Sequence, residues 1–275
     1  MKKFRELYIS FLLVSFSFFS SGCSEDNSVI PDFNIFPVSK DVQLGESLDR
    51  QIKSEPSEYP LLEDQYALNY VNGILDEVLT SPDIEYSEEF DYNIQIIDKD
   101  VINAFAAPGG YIYVYTGLME FLDNEATLAS VIAHEVAHCE ERHATQRMTK
   151  QYGISILTDI VLGDNPSALE EIGANLLTGI GLLQNSRADE YEADEKGFNY
   201  LLSTQWYPGA GIYFFDKIQS NKEAGFLESL LSTHPMPDDR VDKLQKLIEN
   251  NSSKFDEPSE NNLFSQRYSD FLQQL

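Results

Sequence analysis

The chain has 275 residues, of which 46 are acidic and 19 are basic, so its formal net charge is −27. The length suits one main domain with a sizeable core. A chain this negative repels phosphates, which excludes nucleic acid as a partner and membrane binding through a basic patch.

Residues 1–22 have the pattern of an export signal. Basic residues precede an apolar run that is too short to span a bilayer, and the small residues SSG precede Cys23. The pattern predicts a lipoprotein signal peptide, with a lipid on Cys23 as the only membrane contact. An ordinary secretory signal with a chance cysteine is the alternative, because Ser20 replaces the usual leucine. We expect a protein of the bacterial cell envelope, at the periplasmic face of the outer membrane or on the surface.

A polar segment at residues 23–37 contains Pro31 and Pro37 and predicts a flexible tether. A domain is expected at residues 38–250, followed by a C-terminal tail at 251–275 that packs on it or follows it. The spacing of apolar residues predicts helices at 41–53, 61–79, 124–150, 154–162, 176–183, 187–203, 209–220 and 237–250, with a loop at 251–262.

Two stretches alternate in the manner of β-strands. Residues 92–98 form one, and residues 111–115 form the other, directly after the turn-forming Pro108, Gly109 and Gly110. They predict a small antiparallel sheet. The expected fold class is therefore α+β and mostly helical.

The predicted helix at residues 124–150 contains HEVAHCEERH, residues 134–143. His134 and His138 are four residues apart, so their side chains project from nearly the same face, about 40° apart around the axis. Glu135 lies about 100° round from His134, where its carboxylate can reach a water on a metal rather than the metal itself. This is the H-E-x-x-H arrangement of zinc hydrolases, in which the glutamate is the general base.

Short patterns of this kind also arise by chance. The apolar spacers Val136 and Ala137 and the apolar stretch LASVIA before the motif favour a metal site over coincidence. Cys139 is turned about 100° away from His138 and is expected to be a small buried residue rather than a ligand.

Catalytic zinc needs a third protein ligand and one open position. His143 lies about 140° around the predicted helix from His138, so we expect it to be structural or to support a ligand. Glu141 shares the histidine face but lies too far along the axis to complete a tetrahedron. The third ligand should therefore come from another helix.

Residues 186–194, SRADEYEAD, offer such a ligand. Glu190 and Asp194 are four residues apart and share a helical face, so Glu190 could bind zinc while Asp194 holds a ligating imidazole. The alternative is a solvated acidic face, which a chain this acidic produces easily.

Four stretches occur in the order found in the zinc metallopeptidase family that includes HtpX and the CAAX prenyl protease. They are NAFAAPGGYIYVYTGLM, HEVAHCEERH, SRADEYEAD and THPMPDDR. The chain resembles this family from about Phe36 to Asn250. The resemblance implies a zincin-like (gluzincin) metallopeptidase domain, with the sheet beside the H-E-x-x-H helix. HtpX and the prenyl protease carry membrane spans and none is visible here, so the resemblance is closer to LoiP-type lipoproteins and to the peptidase domain of BepA.

The resemblance also implies roles for particular residues. Glu190 becomes the third zinc ligand and Asp194 its supporting carboxylate. The strand region Asn103 to Tyr115 becomes an edge that binds an extended polypeptide substrate, with a core hairpin as the alternative. His234 becomes a residue that stabilises the oxyanion or blocks the open position, although a turn histidine without a chemical role also fits.

These observations predict a zinc endopeptidase with one Zn²⁺ per chain. His134, His138 and Glu190 would hold the metal, while Glu135 would move the proton. Unfolded or misassembled envelope proteins are the substrates that the resemblance implies. One alternative is a catalytically silent or self-inhibited protein of the same fold that acts as a binding or chaperone lipoprotein. The other is a helical lipoprotein without metal.

Overall fold

The computed structural model describes residues 34–152, 185–221, 227–236 and 239–275. Its helices and strands, in chain order, are α1 (Val38–Ser54), α2 (Gln65–Val78), β1 (Asn93–Ile97), β2 (Ala104–Ala107), β3 (Tyr111–Tyr115), α3 (Thr116–Phe121), α4 (Glu125–Glu140), α5 (His143–Tyr152), α6 (Arg187–Leu201), α7 (Gly211–Ser220), α8 (Glu228–Thr233), α9 (Asp239–Asn251), α10 (Glu260–Leu263) and α11 (Ser265–Leu272). The mostly helical α+β class is confirmed. None of the helices in the described ranges combines the length and apolar character that a membrane span requires.

Several predictions from the sequence fall on other parts of the chain. The signal peptide at residues 1–22, the lipid-bearing Cys23 and the helices at 154–162 and 176–183 lie outside the described residues. The described end of the predicted tether, residues 34–37, packs against the domain. Phe36 is buried, and the Asn34 amide donates to the Thr145 hydroxyl at 2.8 Å.

The three-stranded sheet is mixed, so the prediction of an antiparallel sheet is wrong for β1. The strand order is β1-β3-β2, with β1 parallel and β2 antiparallel to the central β3. The chain crosses from β1 to the far edge, runs back along β2, and turns into β3 through Gly109 and Gly110. Both glycines have positive φ, and a Cβ on Gly109 would lie 2.9 Å from the Val42 Cα. The alternation of apolar and polar residues shows which side chains share a face of the sheet, but it does not show whether neighbouring strands run parallel or antiparallel. Such a crossover therefore cannot be predicted from it.

The buried helix α4 lies at the centre of the molecule and ends earlier than the sequence predicts. Asn124 caps its start by accepting a hydrogen bond from the Thr127 amide at 2.9 Å. The single helix predicted at 124–150 is wrong, because the backbone turns at Arg142 and a second helix, α5, follows. Arg142 has a φ of 55°, and its guanidinium binds the Asp41 carboxylate and the Phe36 carbonyl. These partners are distant in sequence, so the local pattern gives no sign of the break.

Helix α6 packs closely against α4. The contact is lined by small residues, and a Cβ on Gly197 would lie 3.1 Å from the His134 amide nitrogen and 3.2 Å from the Ala133 carbonyl carbon. Ala193, Ala133 and Ala137 are fully buried. Small side chains allow the two backbones to approach, which brings the acidic face of α6 over the histidines of α4.

The C-terminal residues 251–275 pack on the domain. Phe271 is buried and stacks on Tyr70 with ring centroids 3.8 Å apart, while the Tyr268 hydroxyl donates to the Met119 carbonyl at 2.6 Å. Arg267 forms an ion pair with the buried carboxylate of Glu125 at the start of α4. The tail therefore supports the end of α4 that precedes the histidine motif. The loop predicted at 251–262 contains the start of the short helix α10.

Candidate metal centre

Four side chains from three parts of the chain converge on one point. His134 and His138 come from α4, Glu190 comes from the first turn of α6, and His234 directly follows α8. One possible ligand atom of each lies within 4.8 Å of the others. The three ligands proposed from the sequence are thus brought together, and His234 joins them.

The distances between these atoms suit a tetrahedral zinc ion. Zinc–nitrogen and zinc–oxygen bonds of 2.0–2.1 Å place neighbouring ligand atoms about 3.3 Å apart. The Nε2 atoms of His134 and His138 are 3.0 Å apart, and they lie 3.6 and 3.4 Å from the two oxygens of Glu190. Imidazole nitrogen and carboxylate oxygen are also ligand types that zinc prefers. The residues present therefore fit a zinc ion.

A pair of charged residues supports the ligands. Asp194, one turn after Glu190, places a carboxylate oxygen 3.1 Å from the Nδ1 of His134. The Arg240 guanidinium donates to Glu190 at 2.6 Å and to the two oxygens of Asp194 at 2.8 Å. The predicted contact between Asp194 and an imidazole is present, and it leaves the Nε2 of His134 directed at the other ligands.

His143 and Glu141 do not join the four-residue group. The break at Arg142 turns His143 back towards α4, where its Nδ1 lies 2.7 Å from the Nδ1 of His138. His143 was expected to be separate from the metal, and it is, but the continuous helix on which that expectation rested is broken at Arg142. Glu141 pairs with Lys196 at 2.6 Å instead. Cys139 is a buried free thiol, as expected.

Glu135 lies beside the centre with an oxygen that has no protein partner. Its carboxylate is 2% exposed, and its Oε2 is one of three buried side-chain polar atoms in the described residues that lack a hydrogen bond. Burial raises the pKa of Glu135, against the charges of His234 and His134. A buried carboxylate with a free oxygen and a raised pKa is suited to general base catalysis.

His234 connects the centre to the sheet edge. Its Nδ1 lies 3.1 Å from Glu190, and its Nε2 lies 3.3 Å from the Ala104 carbonyl and 3.6 Å from Glu135. In the neutral tautomer with its proton on Nε2, the imidazole would donate to the carbonyl, and its Nδ1 lone pair would be available to a metal. The imidazole therefore lies where a fourth ligand would lie.

The balance of burial and charge sets the protonation of the ligands. Burial opposes protonation of His134, but hydrogen bonds to Asp194 and Glu190 outweigh it and raise its pKa to about 10. Burial lowers the pKa of His138 well below its ordinary value. Burial would raise the pKa of Glu190, but the charge of His234 and hydrogen bonds from the other two histidines hold it well below the ordinary value. A cation would therefore compete with a proton for His134.

A small apolar pocket of about 60 Å³ opens beside His134 and Glu135. Its wall is formed by side chains of α4, α6, α7, α8 and α9, including Val131, Phe198, Phe214, Phe215, Leu230 and Leu244. A concave apolar site next to a few converging polar groups is the usual form of a binding site for an apolar group.

Only part of the predicted edge, Asn103 to Tyr115, is an edge of the sheet. The strand β3 is paired on both sides, so it offers no free backbone groups. Within the described residues, the strand β2 is paired with β3 on one side only. Because the Asn103 carbonyl accepts from the Tyr115 amide, the backbone groups of Ala104 and Ala106 point away from β3. The prediction is therefore wrong for β3.

Two residues of the centre were missed by the sequence argument, namely Arg240 and Asn185. Arg240 lies in THPMPDDR, and a basic residue in so acidic a chain was a weak signal for an acidic partner. The Asn185 amide nitrogen lies 2.6 Å from Glu190, 3.1 Å from His138 and 3.3 Å from His234. Nothing in the pattern of residues around Asn185 indicates this position.

Comparison with known proteins shows the family of the chain. The sequence model described as peptidase family M48 matches residues 68–248. The beta-barrel assembly-enhancing protease of Escherichia coli K12 is 28% identical over 214 residues, which cover 74% of this chain and 43% of that protein. The mitochondrial metalloendopeptidase OMA1 of Arabidopsis thaliana is 33% identical over 151 residues, which cover 54% of this chain and 30% of that protein. The chain thus spans less than half the length of these relatives.

Proposed function

Because the chain belongs to peptidase family M48, we propose that it is a zinc-dependent endopeptidase. The observation that carries the proposal is the convergence of His134, His138 and Glu190 beside the unpartnered carboxylate oxygen of Glu135. The first three would hold one zinc ion per chain. When bound, zinc would supply Lewis-acid chemistry, polarising a carbonyl oxygen and making water more acidic.

The protein's own residues would position the reactants and move the proton. Glu135 would take a proton from the attacking water and pass it to the leaving amine. Asp194 would keep the Nδ1 of His134 protonated, so that its Nε2 lone pair faces the metal. Arg240 would keep both carboxylates ionised and in place, because it donates to each of them.

An extended substrate would bind along the free side of β2. The outward backbone groups of Ala106 would offer hydrogen bonds to a peptide backbone, and β2 lies next to His234, which contacts the Ala104 carbonyl. The apolar pocket beside Glu135 would receive a large apolar side chain next to the scissile bond. Segments rich in such side chains are buried in folded proteins, which favours unfolded or misassembled polypeptides as substrates.

The proposed site of action is supported by the sequence and by the name of a relative. The export pattern at residues 1–22 and the lipid expected on Cys23 would place the domain on a tether in the bacterial cell envelope. A relative is named for a role in β-barrel assembly, which is consistent with quality control of envelope proteins as the function.

Digestion of an unfolded protein tests the proposal. The purified chain, loaded with zinc, should digest reduced and alkylated casein, and a chelator should stop the digestion. Glu135→Gln should abolish digestion while binding one zinc ion per chain, since Glu135 is not a ligand. Equal digestion by Glu135→Gln would contradict the role assigned to Glu135. A parent protein that digests nothing would contradict the proposal that the protein is an endopeptidase.

Self-inhibition is a second candidate, favoured by the position of His234. Its Nδ1 lies in the ligand group, so the imidazole would block the open position and the protein would bind unfolded chains without cutting them. His234→Ala should then raise the rate of digestion. If His234 instead stabilises the oxyanion, the same substitution should lower kcat by about 100-fold or more.

A further inference from the structure

His138 has a different supporting contact from His134, and the contact reaches a carboxylate on the surface. The Nδ1 of His134 faces Asp194 directly at 3.1 Å. The Nδ1 of His138 faces the Nδ1 of His143 at 2.7 Å, and the Nε2 of His143 faces the Glu192 carboxylate at 3.3 Å. His143 is 1% exposed, whereas the Glu192 side chain is 44% exposed.

A zinc ion on His138 would determine where the protons lie along these three residues. With a lone pair of Nε2 facing zinc, the proton of His138 would lie on Nδ1 and point at His143. The Nδ1 of His143 would then be an acceptor, and its proton would lie on Nε2, facing the carboxylate of Glu192. A doubly protonated His143 would set two N–H groups against each other across 2.7 Å.

We propose that His143 and Glu192 are positioning residues for the metal ligand His138, linked as Glu192–His143–His138 by neutral imidazoles. The inference rests on the zinc site of the proposed function. Its consequence is that each metal-binding histidine is oriented by a carboxylate, His134 through Asp194 directly and His138 through an intervening imidazole.

The break after α4 makes this contact possible. With a φ of 55° at Arg142, the chain turns so that His143, the first residue of α5, reaches the back of His138. Asp41 and Phe36 hold the Arg142 guanidinium in this turn. On the other side, the hydrogen bond from His143 lowers the pKa of Glu192, which keeps the carboxylate ionised as an acceptor.

Zinc affinity tests the proposal without using proteolysis. All proteins carry Glu135→Gln to prevent self-digestion, and zinc dissociation constants are measured by competition with a chelator. His143→Leu should weaken zinc binding by about 10- to 100-fold, as loss of a supporting contact does. His143→Asn keeps an acceptor for the Nδ1 proton of His138, so it should restore most of the affinity. Melting of the metal-free proteins checks that each variant is folded.

Two further substitutions at Glu192 distinguish its role as a hydrogen-bond acceptor from the effect of its charge. Glu192→Ala should weaken zinc binding by several-fold, whereas Glu192→Gln, which keeps an acceptor oxygen, should weaken it less. Glu195→Ala is the matched control, because Glu195 is an exposed carboxylate on the same helix. It removes the same charge and should leave the affinity unchanged.

The tautomers are directly observable by long-range ¹H–¹⁵N correlation spectra of the zinc-loaded protein. His143 should be neutral with its proton on Nε2, and His138 should carry its proton on Nδ1. A doubly protonated His143, or parent affinity in His143→Leu, would overturn the proposal. A parent protein that binds no zinc would instead overturn the proposed function, so the two failures are distinguishable.

Discussion

Arg240→Gln should destabilise the protein, and more so without zinc than with it. The guanidinium is buried and donates to Glu190 at 2.6 Å and to both oxygens of Asp194 at 2.8 Å. Removing one partner of a buried ion pair costs about 3–5 kcal/mol, because the other charge stays buried. Zinc would neutralise Glu190 in place of the guanidinium, so the cost should be smaller in the zinc-loaded protein.

Thermal unfolding is followed by circular dichroism, once with a chelator and once with excess zinc. The two experiments give the loss of stability of Arg240→Gln without and with zinc. In a domain of this size each kcal/mol shifts Tm by about 2–4 °C, so Arg240→Gln should lower Tm by roughly 6–20 °C without zinc. Arg50→Gln is the matched control. Its partner Glu46 lies 3.9 Å away and both side chains are exposed, so no measurable change is expected. Equal losses with and without zinc, or a loss as small as that of the control, would refute the reasoning.

Three other substitutions test the packing around the centre. Gly197→Ala places a methyl group 3.1 Å from the His134 amide, so it should cost about 1–3 kcal/mol in urea unfolding and weaken zinc binding by separating α6 from α4. Arg267→Ala leaves the buried Glu125 with Tyr70 and Trp206 as partners, so it should cost about 1–3 kcal/mol in the same assay. Val131→Phe fills part of the apolar pocket, so cleavage beside large apolar residues should fall at least about 10-fold relative to cleavage beside alanine in a peptide mixture. Unchanged cleavage preference would show that the pocket does not receive the substrate.

The part of the centre that depends on local geometry was predictable. Four-residue spacing places His134 and His138 on one face of any helix, and the same spacing relates Glu190 to Asp194. That these two pairs face each other was inferred from the order of four stretches, and the structure brings the pairs together. The small residues between α4 and α6 provide the physical reason for this approach.

The rest depended on contacts between residues far apart in the chain. The turn at Arg142 is held by Asp41, which lies 101 residues earlier, and the residues around position 142 do not predict this turn. The parallel pairing of β1 with β3 is likewise a crossover that alternation does not report. The clamp of Arg240 on both carboxylates spans 46 and 50 residues. The local spacing of apolar and polar residues cannot predict contacts between residues so far apart in the chain.

Zinc stoichiometry in the parent beside Glu190→Ala tests the central claim most directly. After dialysis against metal-free buffer, the parent should retain one zinc ion per chain, because three protein ligands hold it. Glu190→Ala should lose most of its zinc under the same conditions while keeping its helical circular dichroism spectrum. Full retention of zinc by Glu190→Ala, or a folded parent without zinc, would contradict the account.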